Sequence, residues 1–344
     1  MRTPARAYTS VMRDVMVDVK SWLSSGDPVA VATVISTWGS APRPAGSRMA
    51  ISQSGKIAGS VSGGCLEGEV FEQAQAILKG KPARVFHYGV SDDLAWTVGL
   101  SCGGEVDVLI EPLVQVHRDL IGALEGERPV VLTTDVGDSP GARQLLTPAQ
   151  ADAAEILERE NPVRRDGLFL EPFPRPPELF IFGGSHVAIP LTRLASALGF
   201  RVTVVDARSK FAEAERFPEA RRVIHAWPDE VLKELPMDGS TYIAILTHDP
   251  KFDDPTITAA LRGRPRYIGA IGSKKTHRER VARLTAAGVD PAEITRVHAP
   301  IGLDLGAQTA EETALAILSQ MVAVRHGKVG GPMPGSVAAA TTAA

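Results

Sequence analysis

The chain has two cysteines, and each stands beside paired glycines. Cys65 follows Gly63-Gly64 in the stretch SGGCLEGE, Ser62 to Glu69, and Cys102 precedes Gly103-Gly104. Adjacent glycines let a bulky ligand come close to the backbone and leave a thiol uncovered. Leu66–Leu78 reads as a helix, which places Cys65 at a helix N-terminus, where thiolate is favoured over thiol. Thiolate is the form that binds soft metals or attacks sulfur. Cys65, Cys102 and Glu67, the last as acid or acceptor, are the expected chemical centre, with both thiols converging on one pocket at the domain junction. Plainer readings stand beside this one. A cysteine is often a small buried hydrophobe, and a glutamate in a first turn complements the helix dipole.

A second centre lies in Phe180-Ile181-Phe182-Gly183-Gly184-Ser185-His186-Val187-Ala188. A strand that runs into glycines and opens a helix is the setting of a dinucleotide fingerprint. Gly183 permits the tight turn, Ala188 allows close helix–strand packing, and the helix N-terminus offers amides to a phosphate. Ser185 stands where the second fingerprint glycine belongs, and its Cβ limits close approach of a pyrophosphate while its hydroxyl can donate to one. Gly183, Gly184, Ser185 and His186 are expected to line an anionic ligand. Asp206 closes the next strand, 23 residues after Gly183, where a carboxylate accepts from ribose hydroxyls. Arg208 is placed to meet a further phosphate. Three more segments share this edge: Thr247-His248-Asp249, Gly272-Ser273-Lys274-Lys275 and Gly302-Leu303-Asp304-Leu305-Gly306. They contribute His248 as a proton donor, Ser273, Lys274 and Lys275 as an anion clamp, and Asp304 as an acceptor. Each also has a plain reading as a turn or helix start.

The elements that must position these groups follow from hydrophobic period. The second half alternates strand and helix: Leu179–Phe182, Val187–Leu198, Arg201–Val205, Arg222–His225, Pro228–Leu235, Thr241–Leu246, Pro255–Leu261, Arg266–Ile271 and Lys274–Ala287. A last helix starts near Thr309, where Thr309 and Glu312 fit a capping box. That alternation predicts a doubly wound parallel sheet of the α/β class. In the first half, Met12–Leu23 reads as a helix, and Val29–Ser36, Ser47–Ile51, Ile57–Val61, Glu105–Ile110 and Val130–Thr134 read as strands. Five prolines between Asn161 and Glu178 mark a linker. The expected organisation is an N-terminal domain over 1–160, a linker over 161–177, a Rossmann-like domain over 178–329 and a loose tail over 330–344. A chain of 344 residues suits two domains. Its 37 basic and 40 acidic residues give no electrostatic case for nucleic acid or an anionic membrane. No apolar run suits a membrane span and no signal peptide is visible, and two cysteines fit a reducing cytoplasm.

Several motifs together resemble the XdhC/CoxI family, accessory proteins of xanthine and carbon monoxide dehydrogenases. They are Gly39–Gly46, Gly59–Gly68 and Gly99–Gly104, then Phe182–Ala188, Asp206-Ala207-Arg208, Arg216-Phe217-Pro218, Thr247–Asp254, Ile271–Lys275 and Ile301–Gly306. The likeness runs from about Trp22 to Arg325, and it departs at Gly183-Gly184-Ser185, where the family often has Gly-Ala-Gly. It implies a family-type N-terminal domain and a Rossmann-like C-terminal domain, commonly as a homodimer. It implies binding of the molybdenum cofactor (molybdopterin, a pterin dithiolene bearing a phosphate), with Cys65 and Cys102 as molybdenum or persulfide ligands. The sulfurated cofactor would pass into the apo-enzyme of a molybdenum hydroxylase, with a cysteine desulfurase as sulfur donor. Members carry the label "xanthine dehydrogenase" through their partner. That enzyme needs iron–sulfur centres, and two cysteines cannot supply the four thiolates of one cluster. The alternative class is an NAD(P)-dependent oxidoreductase that uses the Gly183 turn.

Overall fold

The computed structural model describes residues 11–39, 43–89, 104–137, 140–150, 152–159, 161–235 and 237–332. Cys102 and nearly all of the expected tail lie outside them. The chain forms two compact units, one ending at Arg175 and the other beginning at Pro176.

The first unit opens with α1 (Val11–Ser24), β1 (Val29–Trp38), β2 (Arg48–Ser52), β3 (Ile57–Gly59), α2 (Glu67–Leu78), β4 (Arg84–Tyr88) and β5 (Glu105–Pro112). Its five strands make an antiparallel sheet in the order β3-β2-β1-β5-β4. Alternate residues of the strands divide between its two faces. Ala30, Ala32, Val34, Met49, Ile51, Val106, Val108 and Ile110 pack under α2, against Leu66, Val70, Ala74 and Ile77. Ala50 on the other face packs with Met12, Val15 and Val19 of α1. Then follow α3 (Gln115–Glu125), β6 (Val130–Asp135), β7 (Arg143–Leu146), α4 (Ala153–Arg159), β8 (Val163–Arg165) and β9 (Leu168–Phe173). These strands form a second antiparallel sheet, β7-β6-β9-β8.

The proline-rich stretch 161–177 departs from the expected linker. Asp166 and Gly167 both have positive φ, 52° and 77°, and make the two-residue turn of a β8–β9 hairpin. An Asp-Gly pair between two strands is a hairpin signal. The prolines sit at its margins: Pro162 precedes β8, and only Pro172 lies within a strand, near the end of β9. β9 is interior to its sheet and carries Glu171, 3% exposed, into the core.

Glu171 belongs to a buried polar cluster whose members come from both sheets. Its Oε2 accepts from Arg48 Nη2 at 2.6 Å. Beside it, Arg143 on β7 pairs with Glu111 on β5, and Glu111 lies 3.4 Å from His117 Nε2. His117 Nδ1 accepts the Val114 N–H, so the proton lies on Nε2. Burial, with Arg48 nearby, pushes the imidazole down to about 4 and keeps it neutral.

The second unit begins with β10 (Glu178–Phe182), α5 (Ala188–Ala197), β11 (Arg201–Val205), β12 (Arg222–Ile224), α6 (Pro228–Leu232), β13 (Thr241–Ile245) and α7 (Pro250–Leu261). It ends with β14 (Tyr267–Ala270), α8 (Lys274–Ala286), α9 (Pro291–Ile294), β15 (Val297–His298) and α10 (Ala310–Arg325). The sheet is parallel throughout, in the order β12-β11-β10-β13-β14-β15. Leu179 and Ile181 face α5 and α10, and Phe180 and Phe182 face α7 and α8. Burying a side chain of this size stabilises by about 1.5–3 kcal/mol, so both faces must be covered. Thr309 and Glu312 form the expected capping box on α10. Helix α7 starts five residues before the expected Pro255. Asp249 caps it by accepting from Lys251 N at 2.9 Å, and Pro250 suits the first helical position. Pro255 lies inside the helix, which buries Ile257, Ala260 and Leu261.

Candidate functional site

Cys65 is exposed on the loop that joins β3 to α2. One side chain holds that loop. Glu67 Oε1 accepts from Ser60 Oγ (2.6 Å), Val61 N (3.2 Å), Ser62 N (3.0 Å) and Gly63 N (3.1 Å). Its Oε2 accepts from Ser62 Oγ (2.6 Å) and Gly64 N (2.8 Å). Both hydroxyls also accept, Ser60 Oγ from Gly63 N and Ser62 Oγ from Leu66 N, each at 2.8 Å. Leu66 is fully buried and pins the far end. Wrapping the amides around one carboxylate requires Gly64 at a φ of 130°, a region effectively reserved for glycine. Partial burial pushes the Glu67 carboxyl up, but hydrogen bonds from Ser60 and Ser62 outweigh it and hold it at about 2. Of the two roles expected for Glu67, acid or acceptor, the geometry shows an ionised acceptor, turned inward to its own loop. Spacing had not singled out Ser60 and Ser62; their signal is two hydroxyls set two residues apart before the glycines.

The second candidate lies at the carboxyl edge of the parallel sheet, where β10 stands between β11 and β13 and the winding reverses. Ligands bind at such switch points. Gly183 N donates to Val205 O at 2.9 Å. Gly184 N donates to Asp206 Oδ2 at 2.9 Å. The same carboxylate accepts from Arg208 N and Nε, both at 2.9 Å, and from Arg208 Nη2 at 2.8 Å. Asp206 is 4% exposed. Its burial pushes the carboxyl up, but Arg208 and the two backbone amides hold it below the ordinary range. The expected ribose acceptor is thus engaged with the protein's own donors, and Arg208 is the half-exposed partner. Asp206→Ala should leave the Gly184 N–H buried without an acceptor and lower the stability of this unit by about 1–3 kcal/mol, read by urea unfolding. Unchanged stability would mean that the carboxylate does not hold the turn.

Other expected residues are dispersed along the same edge. His186 and His248 are exposed. Ser273 caps α8 by accepting from Thr276 N at 3.1 Å, and Lys274 and Lys275 are exposed, Lys275 lying 3.9 Å from Glu279. Their strand, β14, is two places from β10, about 10 Å on strand spacing. Asp304 is exposed in the turn before α10. Sequence reasoning missed the buried link beneath these loops. Asp253 pairs with Arg280 at 2.9 Å and accepts from Thr247 Oγ1, while Arg280 Nη2 donates to Ile271 O at 3.0 Å. That network joins the ends of β13 and β14. Among the described residues no group of three or more His, Cys, Asp or Glu is placed to hold a metal ion, and no helix is long and apolar enough to cross a membrane.

Comparison with known proteins places both sites in recognised regions. Residues 22–89, which include the Cys65 loop, match the XdhC and CoxI family, and residues 179–321, which include the glycine turn, match the XdhC Rossmann domain. A Bacillus subtilis protein named as a probable subunit of xanthine dehydrogenase is 27% identical over 88% of this chain and 95% of its own length. The Escherichia coli molybdenum cofactor insertion chaperone PaoD is 29% identical over 88% of this chain and 85% of its own. A crystal structure described as a xanthine dehydrogenase from Bacillus halodurans superposes with a TM-score of 0.67 at 25% identity, covering 95% of this chain and 98% of that one. With the family's own domain in each half and both candidate sites inside the matched stretches, the chain belongs to the XdhC and CoxI family.

Proposed function

We propose that the protein binds the molybdenum cofactor and delivers it, in sulfurated form, to the apo-enzyme of a xanthine-dehydrogenase-type molybdenum hydroxylase. The observation that carries this reading is the exposed Cys65 on a loop fixed by Glu67, in a chain similar along most of its length to an insertion chaperone. A thiolate is a soft ligand suited to a sulfur-rich molybdenum centre or to carrying a persulfide, so the donor present fits the cargo. Glu67 holds the loop so that Cys65 faces outward. Within the second unit, the glycine turn and Arg208 form the proposed site for a phosphate group. A cysteine desulfurase as sulfur donor, assembly as a homodimer and a cytoplasmic location complete the proposal. The engagement of Asp206 speaks against the dehydrogenase alternative, because a ribose diol finds no acceptor there. The test is activation of a cofactor-free hydroxylase in a mixture with cofactor and the full chain. The protein should raise recovery of activity, Cys65→Ser should remove most of that gain, and the protein alone should not oxidise xanthine. Xanthine turnover by the pure protein, or full activation by Cys65→Ser, would overturn the reading.

A further inference from the structure

The connection between β11 and β12 is not a helix. It is a strap of two short 3-10 turns, Ser209–Phe211 and Ala214–Arg216, pinned by buried Phe217. The strap lies directly on the glycine turn. A Cβ on Gly184 would overlap the Phe211 carbonyl, so glycine is required there to admit the protein's own backbone. Two guanidinium groups hold the Phe211 ring, Arg208 at 3.9 Å and Arg216 at 5.3 Å from its centroid. Arg216 Nη1 donates to the carbonyls of Phe211 (3.2 Å) and Lys210 (3.5 Å). Among the described residues it meets no carboxylate, whereas Arg208 is paired with Asp206. Ser185 Oγ, in the turn itself, is buried with no hydrogen-bond partner among the described residues. A carbonyl oxygen thus rests against the turn that opens α5, and a cation that meets no carboxylate among the described residues holds that carbonyl.

We propose that the strap covers a phosphate site, and that a phosphate or diphosphate group of the ligand displaces Phe211 and takes over Arg216 and the Ser185 hydroxyl. The inference rests on the cofactor-binding reading above and extends it, since it assigns the phosphate end of the ligand to Arg216 and makes access depend on the strap. The chemistry is an exchange of acceptors. A charged phosphate replaces a neutral carbonyl on the guanidinium, so that both donor and acceptor carry charge and two parallel N–H···O bonds become available. In the closed form the Phe211 carbonyl gives Arg216 an acceptor and keeps it ordered.

The test uses the full chain with inorganic pyrophosphate and with ADP as probes, followed by backbone amide exchange and titration. Probe binding should speed exchange across 209–212 and slow it at Gly184 and Ser185. Arg216→Gln should weaken binding about 10-fold to 100-fold, the loss expected for one charge-assisted bond. Phe211→Ala should tighten binding, because less contact must be broken to open the strap. Should Phe211→Ala fold poorly, amide exchange on the wild type decides alone. The proposal fails if neither probe binds, if binding leaves exchange in the strap unchanged, or if Arg216→Gln binds as the wild type does. Retention of molybdenum cofactor with an unmoved strap would sink this inference and leave the proposed function standing. Failure to bind the cofactor, with pyrophosphate still opening the strap, would do the reverse.

Discussion

Arg48→Met should destabilise the first unit by about 3–5 kcal/mol, because it leaves Glu171 buried without the cation it pairs with. Both partners are almost fully buried, at 2% and 3% exposure, and they join β2 of one sheet to β9 of the other. Removing one charge strands the second, which costs far more than the intact pair contributes. The double substitution Arg48→Met with Glu171→Leu should therefore regain most of the loss, since an apolar pair of similar volume avoids desolvating either charge. Urea unfolding followed by the fluorescence of Trp22, buried in the same unit, reads both effects. A single substitution that costs less than about 1 kcal/mol, the value of an exposed pair, would show that water reaches the cluster.

Glu67→Ala should unlock the Cys65 loop and remove cofactor retention without unfolding the unit. Six donors lose this acceptor together, all but the Gly63 amide keeping no other among the described residues, and three of them, the amides of Val61 and Ser62 and the Ser62 hydroxyl, belong to buried residues. A buried donor left without a partner costs about 1–3 kcal/mol, which the loop relieves by opening to water. Acid should act in the same direction. The carboxyl is held at about 2 against an ordinary value of 4.5. A lowered folded-state value means that its stabilisation is complete above 4.5 and is lost as pH falls towards 2. After correction for the intrinsic effect of pH, amide exchange at Gly63 and Gly64 should be slow at neutral pH. It should accelerate through that acid window, and in Glu67→Ala it should be fast throughout. Slow exchange in the variant would mean that the backbone holds the loop without the carboxylate.

Local pattern foretold the second unit well. Leu179–Phe182 followed by glycine and a helix carries its fold in consecutive residues, and so does the Thr309–Glu312 box. The first unit was harder because its stability comes from distant pairs: Arg48 and Glu171 are 123 residues apart, and no spacing announces them. The prolines around Asp166-Gly167 hid a hairpin signal that was present. At the sites, residue types were readable but their direction was not. Glu67 and Asp206 stand where carboxylates could serve a ligand, yet Glu67 turns inward to amides of its own loop and Asp206 to those of Gly184 and Arg208. Only the fold decides whether an acceptor faces the chain or the solvent. Cys65 is different, because its place before Leu66, a residue the core must bury, already puts it on the rim.

The most direct measurement is cofactor retention by the purified full chain. The protein is mixed with molybdenum cofactor, passed through a gel-filtration column and assayed for molybdenum and pterin in the protein peak, for the wild type and Cys65→Ser. Molybdenum and pterin should both travel with the wild type, and most of each should be lost from a folded Cys65→Ser protein. Wild-type protein that emerges without pterin, or a Cys65→Ser variant that retains as much as the wild type, would contradict the proposed function.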